Sequence, residues 1–117
     1  MTSLVNRHAI NEAKETMQDK FPIMVKYFLE DSAAYIEGIK NGIDEDDMEK
    51  VKHNSHTLKS SSRQLGADGI ADAAMKIESI SIKIIEGEAK DDSLLKNLLQ
   101  EVSDAFILVE PEYKKML

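Results

Sequence analysis

Residues 48–66 read MEKVKHNSHTLKSSSRQLG, and the spacing inside this stretch sets the fold. Met48, Val51, Ser55, Leu58, Ser62 and Leu65 recur every three and four residues, the period of a helix with one buried face. Gly66 stands where such a helix stops. The sequence predicts that this helix opens at Asp44, with Glu45, Asp46 and Asp47 where the positive end of the helix dipole favours negative charge.

The same period recurs on both sides. A short first segment carries Ile10, Ala13 and Met17. A second is predicted to begin at Asp19 as N-cap, with Pro22 in its first turn, where a missing N–H does no harm. Its apolar stripe is Phe21, Val25, Phe28, Ser32, Tyr35, Ile36 and Ile39, and Gly42 is the expected stop. A fourth segment, about 68–86, places Ile70, Ala73, Ala74, Ile77, Ile80 and Ile84 on one face before Gly87. A fifth starts at Asp91 or Asp92 and runs through Leu95, Leu98, Val102, Ala105 and Val109 to the neighbourhood of Pro111. Residues 106–109 (FILV) would suit a strand alone, but they continue a helical pattern. No stretch alternates with a period of two. Connections of a few residues make neighbouring helices antiparallel. The fold class is therefore all-α: an antiparallel up-and-down four-helix bundle with an additional short N-terminal helix, in one domain over residues 1–117.

Composition narrows the function. Fifteen Lys and Arg against 22 Asp and Glu give a net charge of −7, which disfavours nucleic acid and anionic membrane as partners. Cysteine is absent, which excludes disulfides and thiolate metal sites. No apolar run is long enough for a transmembrane span, and the N-terminus lacks the apolar stretch of a signal peptide. These features point to the cytoplasm.

Against that acidic background, Lys52, His56, Lys59 and Arg63 form a second stripe on the third helix, four, three and four residues apart. It lies about a third of a turn or more from the apolar stripe, and Ser60 sits one turn beyond His56. A neutral imidazole nitrogen is a competent nucleophile near neutral pH. Nearby cations would favour that neutral form and stabilise the charge on a phosphoryl group in transfer. Lys59, one turn from His56, is within reach of such a group. The small Ser55 and Ser62 let the helix sit close to its neighbours, which makes the histidine's mounting rigid.

Residues 56–67, HTLKSSSRQLGA, resemble the signature of histidine-containing phosphotransfer (HPt) domains: a histidine, lysine three residues later, then Gly-Ala ten and eleven later. The likeness extends to the second helix, the acidic start of the third, and Ile77-Glu78 on the fourth. It implies that His56 accepts a phosphoryl group through Nε2 and that Lys59 assists. It further implies that Gly66 serves the tight junction between the third and fourth helices, and that the partners are response-regulator receiver domains, including those of a hybrid sensor kinase. Many members carry glycine where this chain has Ser60, whose added side chain stands beside the phosphoacceptor.

The expectation is a phosphorelay intermediate, a carrier with no kinase activity of its own, acting as a monomer. Lys52, Ser60 and Arg63 are expected to contact the partner. No cofactor is expected on this chain; Mg²⁺ belongs to the receiver. The competing reading is a non-catalytic helical adaptor. Glu49, His53 and His56 lie along one side, but three ligands on one helix rarely enclose a metal; His53 and His8 are expected to be surface residues. Met75 and Ile82, off the main stripe of the fourth helix, are expected to pack against a neighbouring helix rather than to form a docking surface.

Overall fold

The computed structural model describes residues 4–117. Five helices, α1 (Arg7–Met17), α2 (Phe21–Asp44), α3 (Met48–Gln64), α4 (Asp68–Ile85) and α5 (Asp92–Lys114), follow one another, and the described residues contain no strand. Helices α2 to α5 form the antiparallel bundle. Helix α3 packs between α2 and α4, while α5 closes the other side against the same two helices. Thus α3 and α5 are diagonal to each other. Helix α1 lies across the end of the bundle where α3 finishes.

All six stripe positions of α3, from Met48 to Leu65, are buried, as the period predicts. On α2 the same holds for Phe21, Val25, Phe28, Ser32 and Ile39, with Tyr35 and Ile36 only partly covered. The α4 stripe buries Ile70, Ala73, Ala74 and Ile77, while Ile80 and Ile84 lie at its margin. Along α5, Leu95, Leu98, Val102, Ala105 and Val109 are all buried. Close helix approach depends on small residues. Ser55 satisfies its hydroxyl on the Val51 carbonyl of its own helix at 2.7 Å, so it can be buried without a partner elsewhere.

Helix boundaries differ from the sequence expectation in three places. Asp19 is not a cap: it belongs to a single 3₁₀ turn, Gln18–Lys20, that joins α1 to α2. Gly42 does not stop α2, which continues to Asp44. Its role is contact, because a Cβ there would stand 2.7 Å from Cγ2 of Val51. Nor does Asp44 open α3. A turn through Asp46, with φ of 57°, places Asp47 as N-cap, its Oδ1 accepting from the Lys50 amide at 3.0 Å. The last carboxylate of an acidic run makes the cap because only it precedes the first buried residue, Met48. Asp91 caps α5 in the same way. That helix runs on through Pro111 to Lys114. Proline leaves the Ile107 carbonyl without its helical donor; residue 107 is exposed, so water can take that place.

Three fastenings hold the ends. At the α3–α4 junction, Gly66 adopts φ of 73°, a left-handed conformation that closes helices at low cost only for glycine. The Asn6 amide donates to the Gly66 carbonyl at 2.6 Å, and any Cβ on Gly66 would strike the Asn6 carbonyl. From α5, the buried Tyr113 packs its ring on Phe28 and donates its hydroxyl to the Leu65 carbonyl at 2.5 Å. Burial above all, with the charge of Asp68, pushes the Tyr113 phenol well above its ordinary pKa. At the opposite end Lys90 donates to the Ile43 carbonyl at 3.0 Å. It also pairs with Asp46 at 3.1 Å and Asp92 at 3.0 Å. Its hydrogen bond to Asp92, with help from Asp46, outweighs desolvation and raises its pKa.

Candidate functional site

The outward stripe of α3 exists as the spacing predicts, but its surroundings are not what the helix alone suggests. His56 is the most open member whose ring is also held, its side chain 58% exposed. What holds it comes from α4. Glu78 follows the buried Ile77, so its side chain emerges at the rim of the α4 core face, next to α3. It is only 13% exposed, and its two oxygens take different partners: Oε2 lies 2.6 Å from Nδ1 of His56, and Oε1 accepts from Nζ of Lys59 at 2.6 Å.

The charge state of Glu78 follows from a contest. Desolvation raises its pKa, but the hydrogen bonds from Lys59 and His56, with their charges, more than offset that and hold it below the ordinary carboxylate value. An ionised carboxylate only accepts, so Nδ1 must carry the proton in this contact. In a neutral ring the lone pair then belongs to Nε2. Glu78 thus fixes both the ring's orientation and its tautomer.

The other cations of the stripe are paired too. Lys52 meets Glu49 one turn back at 3.1 Å, and Arg63 lies 3.8 Å from Asp72 and 3.5 Å from Sδ of Met75, both on α4. The sequence expectation that neighbouring cations set the ring's surroundings is therefore corrected: the charged group nearest to His56 is a carboxylate, and each basic residue of the stripe has an acid. The reason is tertiary. Asp72 and Glu78 lie on another helix and become neighbours only when α4 packs against α3. Ser60 is exposed one turn from His56. Gly66 lies ten residues on, at the closed end of α3. A shallow depression of about 300 Å³ beside the ring is lined by Glu49, Lys52, His53, His56 and Glu78. Among the described residues no group of three or more His, Asp or Glu side chains is placed to hold a metal ion. Met75 and Ile82 are both exposed, and Met75 meets the neighbouring α3 through its sulfur, which accepts from Arg63.

Glu78 is the residue that sequence reasoning missed as a functional group. It lies 22 residues from His56, and its only signal was its place in the Ile77-Glu78 pair. A helical bundle that holds one open imidazole by its inner nitrogen, with a lysine on the same carboxylate, defines a class: the helical phosphotransfer modules.

Comparison with known proteins narrows the class. The Hpt domain family matches residues 23–105, from the first turn of α2 into α5. The phosphorelay protein LuxU of Vibrio vulnificus, in each of two strains, is 29% identical over 91 residues, 77% of this chain and 76% of theirs. The crystal structure of histidine-containing phosphotransfer protein B from Pseudomonas aeruginosa superposes with a TM-score of 0.86 at 18% identity, over 99% of this chain and 96% of that one. A provisionally described histidine-containing phosphotransfer protein from rice gives 0.82 at 19% identity, over 97% and 79%. At such identities the structures speak for the fold, which is the four-helix bundle they share. The chain belongs to the Hpt domain family. It is a phosphoryl carrier, an intermediate of a phosphorelay.

Proposed function

We propose that His56 is the phosphoacceptor, reacting through Nε2, and that it passes the group between aspartates of two response-regulator receiver domains. The observation that carries this reading is the 2.6 Å contact of Nδ1 with Glu78, which leaves the other nitrogen free on a solvent-facing ring. In the first step Nε2 attacks the phosphorus of a receiver's aspartyl phosphate. The N–P bond forms as the acyl phosphate O–P bond breaks, and the receiver recovers its carboxylate. No proton moves, because Nδ1–H stays on Glu78. The ring becomes cationic at the moment of transfer, and the carboxylate at its back compensates that charge. The second step reverses these events toward another receiver.

Lys59 is proposed to turn from Glu78 to an equatorial phosphoryl oxygen, a small movement for a flexible ammonium. Lys52, Ser60 and Arg63, exposed or half-buried around the ring, are proposed to contact the receiver. Gly66 is proposed to matter by keeping the end of α3 closed against α1. The Mg²⁺ that receivers use would belong to the partner. The chain is proposed to have no kinase activity of its own, since it has no glycine-rich phosphate loop. Its proposed place is the cytoplasm, a reading supported by the absence of cysteine.

The test is transfer from a receiver charged with acetyl phosphate. The wild-type chain gains an acid-labile, hydroxylamine-sensitive phosphate; His56→Gln gains none while keeping its helical circular dichroism. A folded His56→Gln chain that still takes up phosphate overturns the assignment.

A further inference from the structure

Among the described residues the two most exposed large hydrophobic side chains are neighbours, Leu108 at 67% and Ile107 at 63%, on the outer side of α5. Leu108 is also the shared wall of two surface clefts. One, of about 370 Å³ on the seam with α4, is rimmed by Asp72, Glu101 and Asp104 against the single cation Lys76. The other, of about 520 Å³ toward α1, is rimmed by Arg7, Lys14 and Lys115 against the single acid Glu112, above apolar Pro111 and Met116. Along α5 itself the face runs from Glu101 and Asp104 through Leu108 to Glu112 and Lys115; α4 adds Asp72 and Lys76 to the acidic cleft, and α1 adds Arg7 and Lys14 to the basic one.

Turned end for end, the acidic rim of one copy faces the basic rim of the other. We infer that, against the monomer expected from the sequence, this face is the contact between two copies of the chain, with α5 packed antiparallel against α5 of the partner about a twofold axis at Leu108. In a twofold contact, a residue a given number of positions before the centre meets the one the same number after it. Glu101 and Lys115 lie seven residues before and after Leu108, two helical turns or about 10 Å each way. Glu101 of each copy thus meets Lys115 of the other, two pairs in all. Four residues out, Asp104 meets the position of Glu112, which already pairs with Arg7; the exposed guanidinium keeps further donors for Asp104. Glu101 also has a partner within its own chain, Lys76 at 3.8 Å, a contact loose enough to exchange. The opposite pairing, two copies packed parallel, would set acid against acid.

The position of α5 makes this contact compatible with phosphotransfer. It is diagonal to α3, so both His56 rings face away from the axis and remain open to partners. The inference does not depend on the reaction at His56. A pair of helices buries a modest area, so the dimer is weak, with Kd of about 10–100 µM.

Sedimentation of the full chain from about 10 µM to 1 mM tests this. The expected result is a concentration-dependent monomer–dimer equilibrium that weakens with added salt. Leu108→Glu, at a position too exposed to unfold the bundle, should weaken it at least about tenfold. Glu101→Lys and Lys115→Glu should each weaken it about three- to tenfold, and their combination should restore it to within about twofold. His56→Gln should leave it unchanged. A chain that stays monomeric at about 1 mM, a dimer indifferent to Leu108→Glu, or a charge swap that fails to rescue would each overturn the inference.

Discussion

Among the described residues are two three-residue charge clusters of opposite sign, and they do different work. At one, Glu78 is the centre and two bases, His56 and Lys59, surround it. At the other, Lys90 is the centre and two acids, Asp46 and Asp92, surround it. Distances are similar, and both centres are largely covered. The difference lies in what is left over. Lys90 also holds the Ile43 carbonyl near the end of α2, and its acids belong to a turn and a helix start, so the cluster ties three chain segments together. The Glu78 carboxylate holds nothing of the backbone, and one of its partners, His56, is left with its other ring nitrogen toward solvent. Ion pairing alone does not mark a functional site. A group that remains unsatisfied on an otherwise fastened side chain does.

Substitutions can break this contrast or sharpen it. Lys59→Ala should slow phosphotransfer about ten- to a hundredfold, since it removes the cation proposed to meet the transferred group. Its helical content should not change; an unaltered single-turnover rate would take Lys59 out of the mechanism. Glu78→Gln should cost about tenfold, because the amide keeps an acceptor but loses the charge that compensates the phosphorylated ring. Its signature is the tautomer: ¹⁵N shifts of His56 should report a mixed Nδ1–H and Nε2–H population where the wild type shows Nδ1–H alone.

The pH dependence of stability separates the clusters further. The pKa of Glu78 is depressed in the fold from 4.5, so its contribution is complete above that pH and is lost as pH falls through the folded value. The denaturation midpoints of wild type and Glu78→Gln should therefore converge on acidification. Lys90 is raised from 10.5, so its contribution is complete below that pH and fades as pH climbs beyond it. The smallest effect is Lys90→Met, which should lower stability by about 1 kcal/mol or less, because its aspartates are solvent-screened, and leave transfer untouched. A transfer defect in that variant would mean the clusters are coupled through α3.

The bundle itself was legible because its information is periodic. Met48 to Leu65 on α3 and Leu95 to Val109 on α5 announce their buried faces residue by residue. What escaped was set by packing. Gly42 looks like a terminator until α3 is seen pressing on it, and an acidic run of four offers several caps until burial of Met48 chooses Asp47. At the site, His56 and Lys59 were legible because they share a helix. Glu78 and Asp72 were not assigned as partners because they lie on α4; Glu49, on α3 itself, was weighed only as a metal ligand, and without the three acids the stripe read as basic. Local spacing reveals which groups share a face, whereas the field they feel comes from the helix that packs beside them.

The Tyr113 hydroxyl on the Leu65 carbonyl joins positions 48 residues apart. During synthesis the histidine helix leaves the ribosome long before the phenol that anchors its last turn. The nascent α3 must wait, its carbonyl hydrated, until nearly all of α5 has emerged. Only then does the carrier acquire the stiffness that its partners meet.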